Sequence, residues 1–136
     1  DLMLPYRLEM GTKLDNEKGK NLYEFWGDRI SSTISKELED HKDRTIINCA
    51  SIEYFKSINN SSLNANVLTP EFKEIKNDKI RMISFFAKKA RGMMARFIIE
   101  NRIDSTDQIL KFDLAGYKYD PSLSEDVKPV FTRAQP

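Results

Sequence analysis

Cysteine and histidine are almost missing from this chain. Its 136 residues contain one of each, Cys49 and His41. A single thiol excludes an intrachain disulfide framework and suits a reducing compartment. One His and one Cys do not make a structural zinc set of the usual ligand types, so neither a metal site nor a cofactor is assigned. No apolar run approaches the roughly 20 residues needed to cross a bilayer, and no signal-peptide pattern is present. A cytoplasmic protein without a membrane partner is therefore expected. A phosphate-binding glycine loop and a dinucleotide fingerprint are both lacking. So is a dominant charge: 22 Lys and Arg stand against 21 Asp and Glu, for a net charge of +1. The overall balance thus names no partner. No internal repeat, low-complexity tract or linker divides the chain.

What is present describes a folded protein. Hydrophobic residues make up 40%, with eight Phe, five Tyr and one Trp, and the length supports one ordinary core. Residues 1–136 are read as a single domain. The opening Asp1-Leu2-Met3-Leu4-Pro5 lacks an initiator Met and the usual polar lead-in, which suggests a piece of something longer.

Periodicity gives a coarse map. Tyr6, Leu8 and Met10 alternate with Arg7, Glu9 and Gly11, as in a half-buried strand. Asn21 can cap a helix carrying Leu22, Phe25, Trp26, Ile30, Ile34 and Leu38 toward a core. Thr45–Ala50 reads as a short buried strand with Asn48 inside it, and Ser51 caps a short helix over 52–58. Two strands, 67–75 and 79–86, are joined by a hairpin turn at Lys76-Asn77-Asp78. A helix follows over 88–102. Ser105 and Gln108 fit a capping box, Leu114-Ala115-Gly116-Tyr117 a glycine turn, and Val130-Phe131-Thr132 an edge strand behind Pro129. The fold class is α/β in the mixed α+β sense: a mixed sheet with helices 22–40 and 88–102 packed on it.

The helix at 88–102 carries the sharpest functional signal. Ala90, Met93, Met94 and Phe97 continue an apolar face that begins at Phe86. Lys88, Lys89, Arg91, Arg96 and Arg102 fall opposite, around the small residues Gly92 and Ala95. Five cations thus oppose the single acid Glu100 between Lys88 and Arg102. Such a face can approach a polyanion, with Lys and Arg neutralising phosphates and releasing counterions. A solvated face whose cations pair with acids elsewhere is the competing reading.

Candidates for chemistry are fewer. Ser51, Glu53, Tyr54 and Lys56 lie at a strand end followed by a capped helix, where anions and small ligands bind to free backbone amides. Arg7 and Glu9 stand two apart on one strand face, as an ion pair or as part of a polar cleft. With Lys88 these residues define the alternative function, an enzyme acting on a small molecule such as a nucleobase or nucleotide. Arg7, Glu9, Ser51 and Glu53 are its catalytic candidates. Cys49, inside Ile-Ile-Asn-Cys-Ala, reads as a buried filler.

Five stretches together resemble one known family. They are Pro-Tyr-Arg-Leu-Glu-Met-Gly (5–11), Asn-Leu-Tyr-Glu-Phe-Trp-Gly (21–27), Ala-Ser-Ile-Glu-Tyr-Phe-Lys-Ser (50–57), the block from Ser84 to Arg102, and Phe-Asp-Leu-Ala-Gly-Tyr (112–117). In order, and over nearly the whole chain, they resemble the YaaA peroxide-stress-resistance family. Family members are longer, so the chain is similar to their C-terminal portion, as part of a longer one-domain protein. The resemblance implies a cytoplasmic protein that protects against hydrogen peroxide, limits iron-linked damage and binds DNA without sequence specificity. It also implies a positively charged cleft and a helix-hairpin-helix element. Gly92 to Arg102, the capping box at Ser105 and Leu114–Tyr117 look like parts of that element, near the C-terminal end. The match is partial, because Gly92 and Gly116 stand alone where the family element has paired glycines. On this basis Lys88, Lys89, Arg91, Gly92, Arg96 and Arg102 become the expected DNA-binding residues. Oligomeric state and catalysis stay open.

Overall fold

The computed structural model describes residues 17, 19–41, 44–58 and 60–136. The strand expected around Tyr6 to Met10, with Arg7 and Glu9, lies outside the described residues. The elements form two compact units. One contains residues up to Arg44 together with Ser51–Ala65; the other contains Thr45–Ala50 and Asn66–Pro136.

In the first unit, helix α1 spans Leu22–Leu38. Its N-cap is Asn21, whose side chain accepts from the Glu24 backbone N–H at 3.0 Å. That bond satisfies one of the free amides at the helix start, and the Glu24 carboxylate accepts in turn from the Lys20 N–H, just before the cap, at 2.7 Å. The buried positions of α1 are Gly27 and Ser31. A Cβ at Gly27 would sit 3.2 Å from the Ser57 carbonyl oxygen, which explains glycine there. Trp26, expected in the core, is 40% exposed. The small residues set the inward face, and the bulky stripe is rotated partly off it. Helix α2 covers Ile52–Phe55, shorter than the expected 52–58, and a single 3-10 turn follows at Asn60–Ser62.

The second unit is a mixed α/β assembly. Strand β1 (Thr45–Ile47) pairs in parallel with β2 (Asn66–Leu68). A four-stranded sheet runs in the order β4-β3-β6-β5, from β3 (Glu71–Lys76), β4 (Lys79–Arg81), β5 (Lys118–Tyr119) and β6 (Val130–Ala134). The expected hairpin is present: β3 and β4 pair antiparallel. Asn77 and Asp78 both take positive φ, 50° and 61°, the signature of a type I′ turn, whose twist matches its strands. The expected strand 67–75 is two strands with Thr69 and Pro70 between them. The expected strand 79–86 ends at Arg81, because helix α3 already begins at Ser84 and runs to Glu100.

A second correction concerns β6. Expected at an edge, it lies inside the sheet, parallel to β3 and antiparallel to β5. Pro129 precedes the ladder and removes no donor from it. The core gathers on the α3 side of this sheet, where Phe72, Ala90, Met94, Ile109, Phe112, Tyr117 and Phe131 are buried together. Phe72 stacks on Phe131 at 5.4 Å, and Phe112 meets both rings edge-on. These offset and T-shaped contacts suit the ring quadrupoles.

Candidate nucleic-acid interface

Helix α3 buries Ala87, Ala90 and Met94, a face one residue round from the Phe86-led stripe. Lys88, Lys89, Gly92 and Arg96 are exposed on the other side. Arg91 is half-buried, close enough to Cys49 for its charge to oppose the upward push that burial gives the thiol. The free cysteine, expected as a buried filler, packs against the core but is only half-buried. A Cβ at Gly92 would meet nothing within 4 Å, so this glycine leaves the middle of the cationic face low and open.

Among the described residues, acids do little to neutralise that face. Arg96 stands 3.9 Å from Glu100, and both side chains are well exposed; such a pair contributes little. Lys88, Lys89, Arg91 and Arg102 form no ion pair among the described residues. Nor does the pattern serve the helix dipole, since α3 has no acid in its first turn and no cation in its last. Two apolar residues missed by the sequence reading share the exposed surface: Phe85 is 61% and Ile99 75% exposed. The Lys89 ammonium lies 4.6 Å from the centre of the Phe85 ring, a cation–π contact that keeps the aromatic at the surface.

The C-terminal end of α3 turns through Arg102, at φ 47°. Its N–H donates to the Ile99 carbonyl at 3.3 Å, and that of Ile103 to the Ile98 carbonyl at 3.0 Å. This is a Schellman motif with arginine where glycine usually stands. Helix α4 (Thr106–Ile109) follows. The expected capping box does not form: the Ser105 side chain makes no cap bond, and Gln108 accepts instead from the N–H of Asp104, one residue before the cap, at 3.1 Å. A 3-10 turn at Leu114–Gly116 then carries positive φ at Ala115 and Gly116.

The chemical candidates are held in local contacts. Ser51 caps α2 by accepting from the Tyr54 N–H at 3.3 Å. Glu53 accepts from the Tyr23 hydroxyl and pairs with Lys56 at 3.2 Å. The hydrogen bond from Tyr23 and the contact with Lys56 hold the Glu53 carboxyl below its usual range. The same bond, with some burial and the carboxylate charge, pushes Tyr23 up to about 12. No group of three His, Cys, Asp or Glu among the described residues could hold a metal ion.

A polar cluster that the sequence reading did not find lies in the sheet. Glu74 is fully buried and accepts from the Tyr117 hydroxyl at 2.5 Å and from Arg133 Nε at 2.7 Å through one oxygen, Oε1. Arg133 also donates to the Ala115 carbonyl at 3.1 Å and lies against the Phe86 and Tyr117 rings, at 5.0 and 4.4 Å. Burial first, then Glu74, pushes the Tyr117 phenol well above its ordinary range. The only signal in the sequence was an acid at an inward position of an alternating strand, two residues after Phe72.

The described residues thus define a mixed α/β protein that presents an unneutralised cationic helix beside a tight turn. The family model for peroxide stress protein YaaA matches residues 1–123. Among relatives, the chain is 55% identical over 135 residues to a UPF0246 protein of Colwellia psychrerythraea, covering 99% of this chain and 52% of that one. It is 53% identical over 133 residues to one from a Shewanella species, covering 98% and 52%. One from Idiomarina loihiensis is 51% identical over 135 residues, covering 99% and 52%. The chain belongs to the YaaA peroxide-stress protein family, and it spans about half the length of the curated relatives it matches. No helix among the described residues is long and apolar enough to cross a membrane.

Proposed function

We propose that this chain is a DNA-contacting part of a cytoplasmic peroxide-stress protein, binding without sequence specificity and limiting iron-linked damage. The observation that carries the reading is the α3 surface, where Lys88, Lys89 and Arg96 surround the open Gly92 and, among the described residues, no acid pairs with the lysines. Cations on a low surface meet phosphates, and phosphate contacts position a protein without reading bases. Arg102 belongs to the same interface, and Gly92–Arg102 with the α3–α4 corner and the turn at Leu114–Tyr117 is read as the helix-hairpin-helix element. Arg91, half-buried, takes a lesser share. Of the residues behind the enzyme alternative, Ser51 and Glu53 are engaged as described, and no observation favours that reading.

The test is a titration of the intact protein with duplex, bubble and junction DNA at several salt concentrations. Lys88→Ala, Lys89→Ala and Arg96→Ala should each weaken binding about equally across sequences. Each should also flatten the log–log salt slope by roughly one. If these variants lose thermal stability while the slope stays unchanged, the cations are structural and the reading fails.

A further inference from the structure

The turn at Asn77-Asp78 leads into β4, which forms one edge of the four-stranded sheet. Ile75 stands directly opposite Ile80 across the hairpin. The Ile75 carbonyl accepts from the Gln135 N–H at 3.0 Å, on the side away from β4. The two isoleucines are therefore a non-hydrogen-bonded pair of the antiparallel ladder, and the Ile80 N–H and C=O turn outward from the edge. Among the described residues no strand lies there to receive them. The same position is apolar. Ile75, Ile80 and Met82, two residues on, are 36%, 45% and 46% exposed. The cross-strand pairing makes this a patch, where scattered single residues would call for no partner. Alternation puts Lys76, Lys79 and Arg81 on the other face of the hairpin, and they form no ion pair among the described residues.

Cations on an edge strand guard it against pairing, and here the guard is selective. Two copies paired antiparallel about Ile80 would set Lys79 of one opposite Arg81 of the other, and like charges directly opposite are destabilising. An extended segment that alternates acidic with apolar residues meets no such penalty. Its acids would lie beside Lys79 and Arg81, and its apolar side chains beside Ile80. Nucleic acid suits the cations but leaves the isoleucines uncovered. The chain also spans only about half the length of its curated relatives, so the longer family chain has a further half from which such a segment can come. We propose that β4 is the docking edge for that further half, an extended acidic–apolar segment of which adds as a strand along Ile80 and covers Ile75 and Met82. This rests on the reading of the chain as part of a longer protein, and not on its DNA contact.

Hydrogen exchange on the intact, longer protein tests this without any variant. The Ile80 amide should exchange within about tenfold of the slow amides of β3, as a bonded ladder position does. Exchange at the rate of a free edge amide overturns the inference. A photoreactive benzophenone residue in place of Met82 identifies the occupant. Crosslinks should run within one polypeptide to a segment outside these 136 residues in which acidic and apolar residues alternate. Crosslinks to a second copy, to added duplex DNA or only within the 136 residues overturn it. Lys79→Glu with Arg81→Glu, at exposed positions, should speed Ile80 exchange at least about tenfold by setting acid against acid. The salt slope of DNA binding should not change. A flattened slope with unchanged exchange assigns these two cations to DNA and overturns the inference. Lys88→Ala should leave Ile80 exchange as it is, so the two readings can fail separately.

Discussion

Glu74 has its charge held inside the sheet by one guanidinium and one phenol, and the energetics of such a residue are lopsided. Arg133→Met would leave the carboxylate without its counter-charge, and breaking a buried pair from one side typically costs about 3–5 kcal/mol. The Arg133 side chain is 13% exposed, so the lower end is expected. Replacing both partners, Glu74→Leu with Arg133→Met, should recover most of the loss, because the desolvation cost disappears with the charges. Denaturant unfolding of the three variants measures this. The Tyr23–Glu53 bond behaves differently because it is exposed, and its signature lies in pH. Tyr23, raised to about 12, favours the folded form below its unfolded pKa near 10; that contribution is lost as pH rises from there through about 12. Glu53, lowered, contributes above its unfolded pKa and loses this as pH falls through its folded one. Ultraviolet titration should show two tyrosines ionising late, Tyr23 and Tyr117, and Glu53→Gln should bring the Tyr23 step earlier. Neither pairing was legible in the sequence, since Glu74 and Arg133 are 59 positions apart and Tyr23 and Glu53 are 30 apart. Local pattern carries no information at that range.

Elements were more legible than their ends. The apolar spacing of α1 and the Asn77-Asp78 turn stood out because propensity and pattern agree there. At Ile80–Phe85 a brief alternation fits a strand end and a helix start alike, and the helix wins from Ser84 because Ala87 and Ala90 pack against β3. Val130–Ala134 looked like an edge because Pro129 precedes it; pairing on both sides was decided by strands far away in sequence. Within α3, two neighbouring faces should respond oppositely to substitution. Met94→Ala should cost about 2–5 kcal/mol through the cavity it leaves, whereas Lys88→Ala should stay within about 0.5 kcal/mol. Gly92→Ala should raise stability by about 0.5–1 kcal/mol, as alanine suits an exposed helix interior better than glycine. If a DNA backbone lies over that position, the same change lowers affinity. Thermal melts and binding curves on one variant separate the two effects.

Across the larger unit, stability depends on β6, which fills the interior of the sheet and supplies Phe131 and Arg133. Phe131→Ala should cost about 3–5 kcal/mol by opening the aromatic cluster, read as a lower denaturant midpoint with weakened near-ultraviolet dichroism. The parallel pairing of β3 with β6 adds a consequence in time. Glu71 is laid beside Val130, so β3 must wait for a partner synthesised long after it, and such distant pairings are slow to form. Until then Phe72 faces water, Glu74 has no guanidinium, and the paired edge of β3 is open to other chains. A nascent chain that has emerged past Arg102 but not yet past Val130 would therefore carry its hairpin and cationic helix without the strand that locks them. At that stage the chain most needs a chaperone.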